Sequence, residues 1–161
     1  MRALLRLHPD LVLLHVDAHA DLRAEYEGET VSRATWIVHS GIALEQVVQV
    51  GIRSMGAEER TAARQTLHSS AALAFPRELV AGRPVYLSID VDVLDPGAAP
   101  GVRCPEPGGV STAELLAFVR SLAGIDVVGI DVAEIAPDTD SAGLTAVAAA
   151  KLLRELVLLF A

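Results

Sequence analysis

The apolar run Val85-Tyr86-Leu87-Ser88-Ile89 leads straight into Asp90-Val91-Asp92-Val93-Leu94-Asp95 and stops at Pro96. Successive side chains of an extended chain point to opposite faces, so the spacing predicts that Asp90 and Asp92 leave the strand on one side. Two like charges that close are costly unless something positive lies between them, and a metal ion is the simplest candidate. The pattern recurs upstream. Leu11-Val12-Leu13-Leu14-His15-Val16 runs into Asp17-Ala18-His19-Ala20-Asp21, which sets two carboxylates and an imidazole at a second strand end. The remainder of the chain must bring these two ends together.

Further segments supply the scaffold. Val47 to Ile52 and Asp126 to Val132 read as buried strands, and Ala71 to Phe75 as another. Ala3 to Leu7 has the pattern of a helix closed by His8-Pro9-Asp10. Ala57 to His68 has helical spacing, opened by Glu58-Glu59 where the helix dipole favours acids. Ser111 begins a helix to about Leu122, with Glu114 as its capping-box partner. A last helix is expected from near Ser141 to the end, with Leu144, Val147, Ala148, Leu152, Leu156 and Leu159 at helical spacing. Leu22 to Gly41 and the Pro- and Gly-rich stretch Asp95 to Gly109 read as loops. Strands that alternate with helices, each an unbroken apolar run, predict an α/β fold: a three-layer α/β/α sandwich around a mostly parallel sheet, one domain over residues 1–161. In such sheets ligands bind outside the carboxyl ends of the strands, where Asp17, Asp90 and Glu134 fall.

With 13 basic against 21 acidic residues the formal charge is −8. That balance argues against a nucleic-acid partner and against an anionic membrane surface. Cys104 is the only cysteine, so no internal disulfide forms and a reducing compartment is expected. Met1-Arg2-Ala3 opens no signal-peptide pattern, and Lys151, Arg154 and Glu155 interrupt the apolar C-terminal segment, so no membrane span is expected. The sequence reads as a soluble, cytoplasmic protein.

Together the two strand ends offer four carboxylates and one imidazole. Such a hard, oxygen-rich set suits manganese or magnesium better than zinc, and its size fits a pair of ions roughly 3.5–4 Å apart. These residues resemble the ureohydrolase family, the arginases and agmatinases, and within it the agmatinase branch. The likeness rests on Asp17-Ala18-His19-Ala20-Asp21, on Ser88-Ile89-Asp90-Val91-Asp92-Val93-Leu94-Asp95-Pro96 through Pro100-Gly101, and on Glu134-Ile135-Ala136-Pro137 with Gly143-Leu144-Thr145-Ala146. It runs from about Ala3 to the C-terminus.

The resemblance implies an arginase-like fold and two Mn2+ ions. By family pattern Asp17 and Asp90 bridge the ions, Asp21 completes the first shell, and His19 and Asp92 complete the second. It further implies attack of a metal-bridging hydroxide on a small guanidino substrate with release of urea, catalytic roles for Asp21 and Glu134, and a Glu134 carboxylate paired with the guanidinium. The family is longer than this chain and carries an upstream Gly-Gly-Asp-His segment whose histidine ligates the first ion. The expectation is therefore an N-terminally truncated member with one metal site weakened, which self-associates as a homo-oligomer or pairs with a separately encoded N-terminal piece. Where the family has Ser-His-Gly, whose histidine shuttles protons, this chain reads Ser32-Arg33-Ala34; His39 is the nearby candidate to replace it. Two alternatives stand beside this reading. One is a degenerate metal- or partner-binding remnant without catalysis. The other is a haloacid-dehalogenase-type phosphatase with Asp90 as nucleophile and Asp92 as acid/base, which leaves Asp17, His19 and Asp21 unused and has Lys151 as its only downstream lysine.

Overall fold

Strand β1 (Val12–Val16) is buried at every position. That requires neighbours on both edges and layers on both faces. The computed structural model, which describes residues 1–161, supplies all four. Strands β2 (Val47–Val50), β3 (His68–Ser70), β4 (Val85–Asp90) and β5 (Val127–Ala133) join β1 in one five-stranded sheet of order β3-β2-β1-β4-β5, and every pairing is parallel. Helix α1 (Arg2–Leu7) precedes β1. Helix α2 (Trp36–His39) lies between β1 and β2, α3 (Arg60–Ala63) between β2 and β3, α4 (Thr112–Ser121) between β4 and β5, and α5 (Leu144–Phe160) ends the chain. The mostly parallel α/β/α fold expected from the sequence is the one observed.

Alternation along β1 divides the core in two. Val12, Leu14 and Val16 join Val48, Val50, Leu87 and Ile89 against Leu115, Phe118 and Val119 of α4 and Leu152 and Leu156 of α5. Leu13 points the other way, with Val47, toward Ile37 of α2, Leu22 and Ile42. The second face also carries a transverse polar row. Parallel register aligns His15 with Gln49 on one side and with Ser88 on the other, and Ser88 with Asp131 beyond it. The same register sets Val16 beside Ile89 and Asp90 beside Ala133, so Asp17, Asp90 and Glu134 emerge at neighbouring strand ends.

Several local expectations change. The helix read over Ala57 to His68 is only a 3-10 turn, Ala57–Glu59, followed by the four residues of α3, and His68 opens β3 instead. The strand expected over Ala71 to Phe75 is displaced to His68–Ser70, a short polar edge. β5 is half-buried rather than buried, because it pairs with β4 alone. The final helix begins at Leu144, and Leu144 and Val147 lie exposed while Thr145, Ala149, Leu152 and Leu156 form the buried face. Asp92 does not continue the strand. β4 ends at Asp90, and Val91–Val93 forms a 3-10 turn capped by the Asp90 carboxylate, which accepts from Asp92 N at 2.8 Å.

Two residues after β2 hold that turn in place. Arg53 spreads its guanidinium over carbonyl oxygens of Asp92 (2.8 Å), Val93 (3.2 Å), Leu94 (3.4 Å), Glu106 (2.6 Å) and Gly51 (3.3 Å), which ties the loop after β4 to the end of β2. Gly51 itself has φ 91°, and a Cβ there would stand 2.5 Å from Val93 Cγ2 and 2.8 Å from Asp17 O. Both the left-handed backbone and the close approach exclude a side chain. Gly51→Ala is expected to destabilise the fold by on the order of 2 kcal/mol or more, from strain and overpacking together. Chemical denaturation followed by circular dichroism checks this, and an unchanged midpoint would contradict the close packing of β2 against the β1 and β4 ends.

Candidate active site

Asp17, His19, Asp21, Asp90, Asp92 and Glu134 line one cleft at the carboxyl end of the sheet. These six residues, expected at the site from the sequence, are therefore brought together. Asp17 is 2% exposed, and its two carboxylate oxygens are engaged: Oδ1 accepts from His19 N at 2.6 Å, and Oδ2 lies 2.9 Å from His15 Nε2. His19 Nδ1 sits 2.9 Å from Asp92 Oδ2 and 3.5 Å from Asp17 Oδ1, and so bridges the two motifs. Asp92 Oδ1 accepts from Ala18 N at 3.2 Å. Asp21, in the left-handed region at φ 53°, accepts from the Trp36 indole Nε1 at 2.8 Å. Glu134 is also left-handed, at φ 60°, which turns the chain sharply as β5 ends.

Crowding sets the electrostatics. Burial first, and then the Asp17 and Asp92 charges, push the Asp90 carboxyl up to about 10. Burial and Asp17 push Asp21 up to about 7. Asp92 is raised, chiefly by burial, against the pull of His19. Asp17 goes the other way. Burial alone would raise it, but the two imidazoles beside it outweigh burial and hold it below the usual carboxylate range. Hydrogen bonds to Asp17 and Asp92 in turn raise His19 to about 11. His19 thus carries positive charge into this acidic cluster. Asp90, 8% exposed, has no cation beside it at all and one backbone N–H for company.

Sequence reasoning missed His15 and Gln49, which read only as strand residues. Gln49 Nε2 donates to Ala20 O at 2.7 Å and lies 3.1 Å from His15 Nδ1. Burial is the largest single influence on the His15 imidazole and lowers it, but the Asp17 charge and hydrogen bond, with the charges of Asp21 and Asp131, together leave it raised. The amide, however, turns an N–H toward Nδ1, which leaves no acceptor there for a second ring proton. The Gln49 contact therefore fixes the tautomer with the proton on Nε2, aimed at Asp17. A histidine one alternation before a strand-end aspartate, paired in register with a glutamine, is the signal that could have found them.

The residues fit a hard divalent cation. His15, Asp17 and Asp21 offer donor atoms within 4.8 Å of one another, and so do Asp17, His19 and Asp92. The two groups share Asp17. Neighbouring ligands on an octahedral ion with bonds of about 2.1 Å lie about 3 Å apart, close to the separation of His19 from Asp92. An oxygen-rich set with an uncompensated buried carboxylate at its side matches that chemistry.

Other candidates fall away. His39 does not reach the cleft; its Nε2 lies 2.9 Å from Ala24 O. Lys151 pairs with Glu155 along α5, so the phosphatase reading lacks its lysine in the cleft and leaves Asp17 and His19 unexplained. No helix is long and apolar enough to cross a membrane.

Comparison with known proteins agrees with this geometry. The model of the arginase family matches residues 1–159. The agmatinase of Halalkalibacterium halodurans is 42% identical over 98% of this chain, and the guanidinobutyrase of Pseudomonas aeruginosa 35% identical over 98%. Among solved structures, the proclavaminate amidino hydrolase of Streptomyces clavuligerus superposes with a TM-score of 0.85 at 31% identity, covering 99% of this chain and 59% of that one. Arginase from Medicago truncatula gives a TM-score of 0.73 at 36% identity, over 90% of this chain and 50% of that one. The chain spans 58% of the length of the first of these relatives and 55% of the second. With its sheet, its strand-end acids and residues 1–159 all in agreement, the chain belongs to the arginase family.

Proposed function

We propose that the cleft is the site of a metal-dependent hydrolase that releases urea from a small guanidino compound. The observation that carries this reading is the convergence of Asp17, His19 and Asp21 with Asp90 and Asp92 from two separate strand ends. The relatives named for agmatine and guanidinobutyrate support the substrate class. Asp17 and Asp90 would be shared between two Mn2+ ions, Asp21 would complete the first shell, and His19 and Asp92 the second. Such ions, when bound, supply Lewis acidity and water activation near neutral pH.

The chain's own groups do the rest. Glu134 forms no ion pair within the chain, so its carboxylate is free to orient a planar guanidinium through charge-assisted hydrogen bonds. With Asp21 Oδ2 taken by the Trp36 indole, Oδ1 is the atom on which a proton from the attacking water is held before it passes to the leaving nitrogen. His15, fixed by Gln49, positions Asp17. Manganese as the ion, a cytoplasmic location and a self-associated chain complete the reading. The last is supported by the incompletely buried edge strand β5.

Protein loaded with manganese and offered agmatine, arginine and 4-guanidinobutyrate is expected to hold two ions per chain and to release urea. Asp90→Ala is expected to lose both properties, read by elemental analysis and a urea assay. Ions without urea would favour the non-catalytic remnant, and neither ions nor urea would end the proposal.

Proton linkage gives an independent check. Asp21 and Asp90 hold their protons more tightly in the folded chain than in the unfolded one, where an aspartate titrates at about 4. The stability they contribute is therefore complete below about pH 4 and is lost as pH rises through about 7 and then about 10. In chelator, the melting temperature is expected to fall between pH 6 and 9. Manganese should restore it most at the alkaline end, and a melting temperature indifferent to both would contradict the assigned cluster.

A further inference from the structure

The cleft is not uniformly acidic. Its floor is made by the clustered aspartates, but one wall is cationic, with Arg23 at 5.2 Å and Arg33 at 5.7 Å from the centre of the Tyr26 ring. The two arginines differ in what answers their charge. Arg23 is neutralised, 3.4 Å from Glu58 and 3.5 Å from the buried Glu59. Arg33 has no carboxylate within ion-pair distance, although the Glu134 charge also bears on it. Its Nη1 donates to Cys104 Sγ at 2.7 Å, and its other N–H groups have no acceptor on the protein. The backbone that carries Arg33 is held by the buried Thr35, whose Oγ1 accepts from Ser32 N at 2.8 Å.

Arg33 lines both the catalytic cleft and the adjoining cavity, and Glu134 does the same. A substrate whose guanidinium sits over Glu134 and the aspartates therefore has its far end within a space that also contains the Arg33 guanidinium, which no carboxylate pairs at contact distance. We propose that Arg33 is a specificity-determining residue that selects an ω-guanidino carboxylate over a guanidine ending in an amine. This rests on the hydrolase reading and adds to it the charge at the substrate's far end.

The physical case has an attractive and a repulsive part. A guanidinium offers planar, bidentate recognition to a carboxylate, and Cys104 and the Tyr26 ring keep Arg33 in one orientation before the substrate arrives. An ammonium brought to the same place meets a like charge that no carboxylate pairs directly, and discrimination of this kind rests on the rejected partner as much as on the favoured one. Arg33 is exposed, so solvent screens the interaction, and the preference is expected to be about tenfold rather than thousands.

The test compares 4-guanidinobutyrate with agmatine on the manganese-loaded protein, since the two share a guanidinium and a short alkyl linker and carry opposite charges at the far end. The readouts are kcat and KM from urea release and, separately, the equilibrium affinity of each compound. The carboxylate is expected to show the lower KM by about tenfold. Arg33→Gln should abolish the difference in KM, Arg33→Glu should reverse it, and Arg33→Lys should retain part of it. Urea from agmatine with equal or lower KM, unmoved by Arg33→Glu, would overturn the role of Arg33 and leave the hydrolase reading intact. No urea from any guanidine would overturn both.

Discussion

The parallel register of β1 against β4 is the constraint on which the structure depends. It sets Val16 level with Ile89, so that the residues that follow, Asp17 and Asp90, leave adjacent strands at the same height. Nothing in the local chemistry favours this. Carboxylates so placed repel, and burial adds to the cost because the charged form is poorly solvated. The arrangement persists because two apolar cores grip the strands from both faces, and because the segments that carry the acids are pinned from outside the cluster. Arg53 collects the carbonyls after β4, Gly51 lets β2 close against both ends, and Glu59, itself buried, receives the Leu22 and Gly56 N–H groups just beyond Asp21.

Beneath the acids, the row formed by Gln49, His15, Ser88 and Asp131 does a different task. An apolar sheet face would leave Asp17 without a fixed orientation. His15 gives it a donor at 2.9 Å, Trp36 packs edge-on against the His15 ring at 5.5 Å, and Ser88 donates to Asp131 at 3.0 Å. The arrangement has a cost: Gln49 Oε1 is buried without a hydrogen-bond partner. An unsatisfied buried carbonyl is worth about 1–3 kcal/mol of lost stability, a penalty of the kind that gathers at functional sites.

Much of this was legible in the chain. Unbroken apolar runs identified β1, β2 and β4, and the Ser111 to Glu114 box marked the start of α4, where both halves of the box form. The six expected site residues converge because strand ends of a parallel sheet must face the same way. What was not legible depended on partners distant in sequence. Asp92 looked like a strand residue because alternation carries no information about where a ladder ends; the Asp90 side chain stops it by capping the next turn. His68 looked helical because β3 is too short and polar to show a period of its own. Leu144 and Val147 fit a helical stripe as well as Leu152 does, and only the position of β5 decides which of them is covered. His15 was hidden by its own strand, since periodicity reports burial and not what a buried imidazole touches.

The hydrogen bond from Ala18 to Asp92 joins residues 74 apart in sequence. Between them the chain must complete β2, cross to the sheet edge at β3, and return past β1 to lay down β4. Contacts that close so long a loop form late, because the entropy of closure precedes any reward. His15, Asp17 and Asp21 come from one stretch of chain, but Asp17, His19 and Asp92 gather only across this contact. The second donor group is thus a property of the topology, and it does not exist until the fourth strand has found the first.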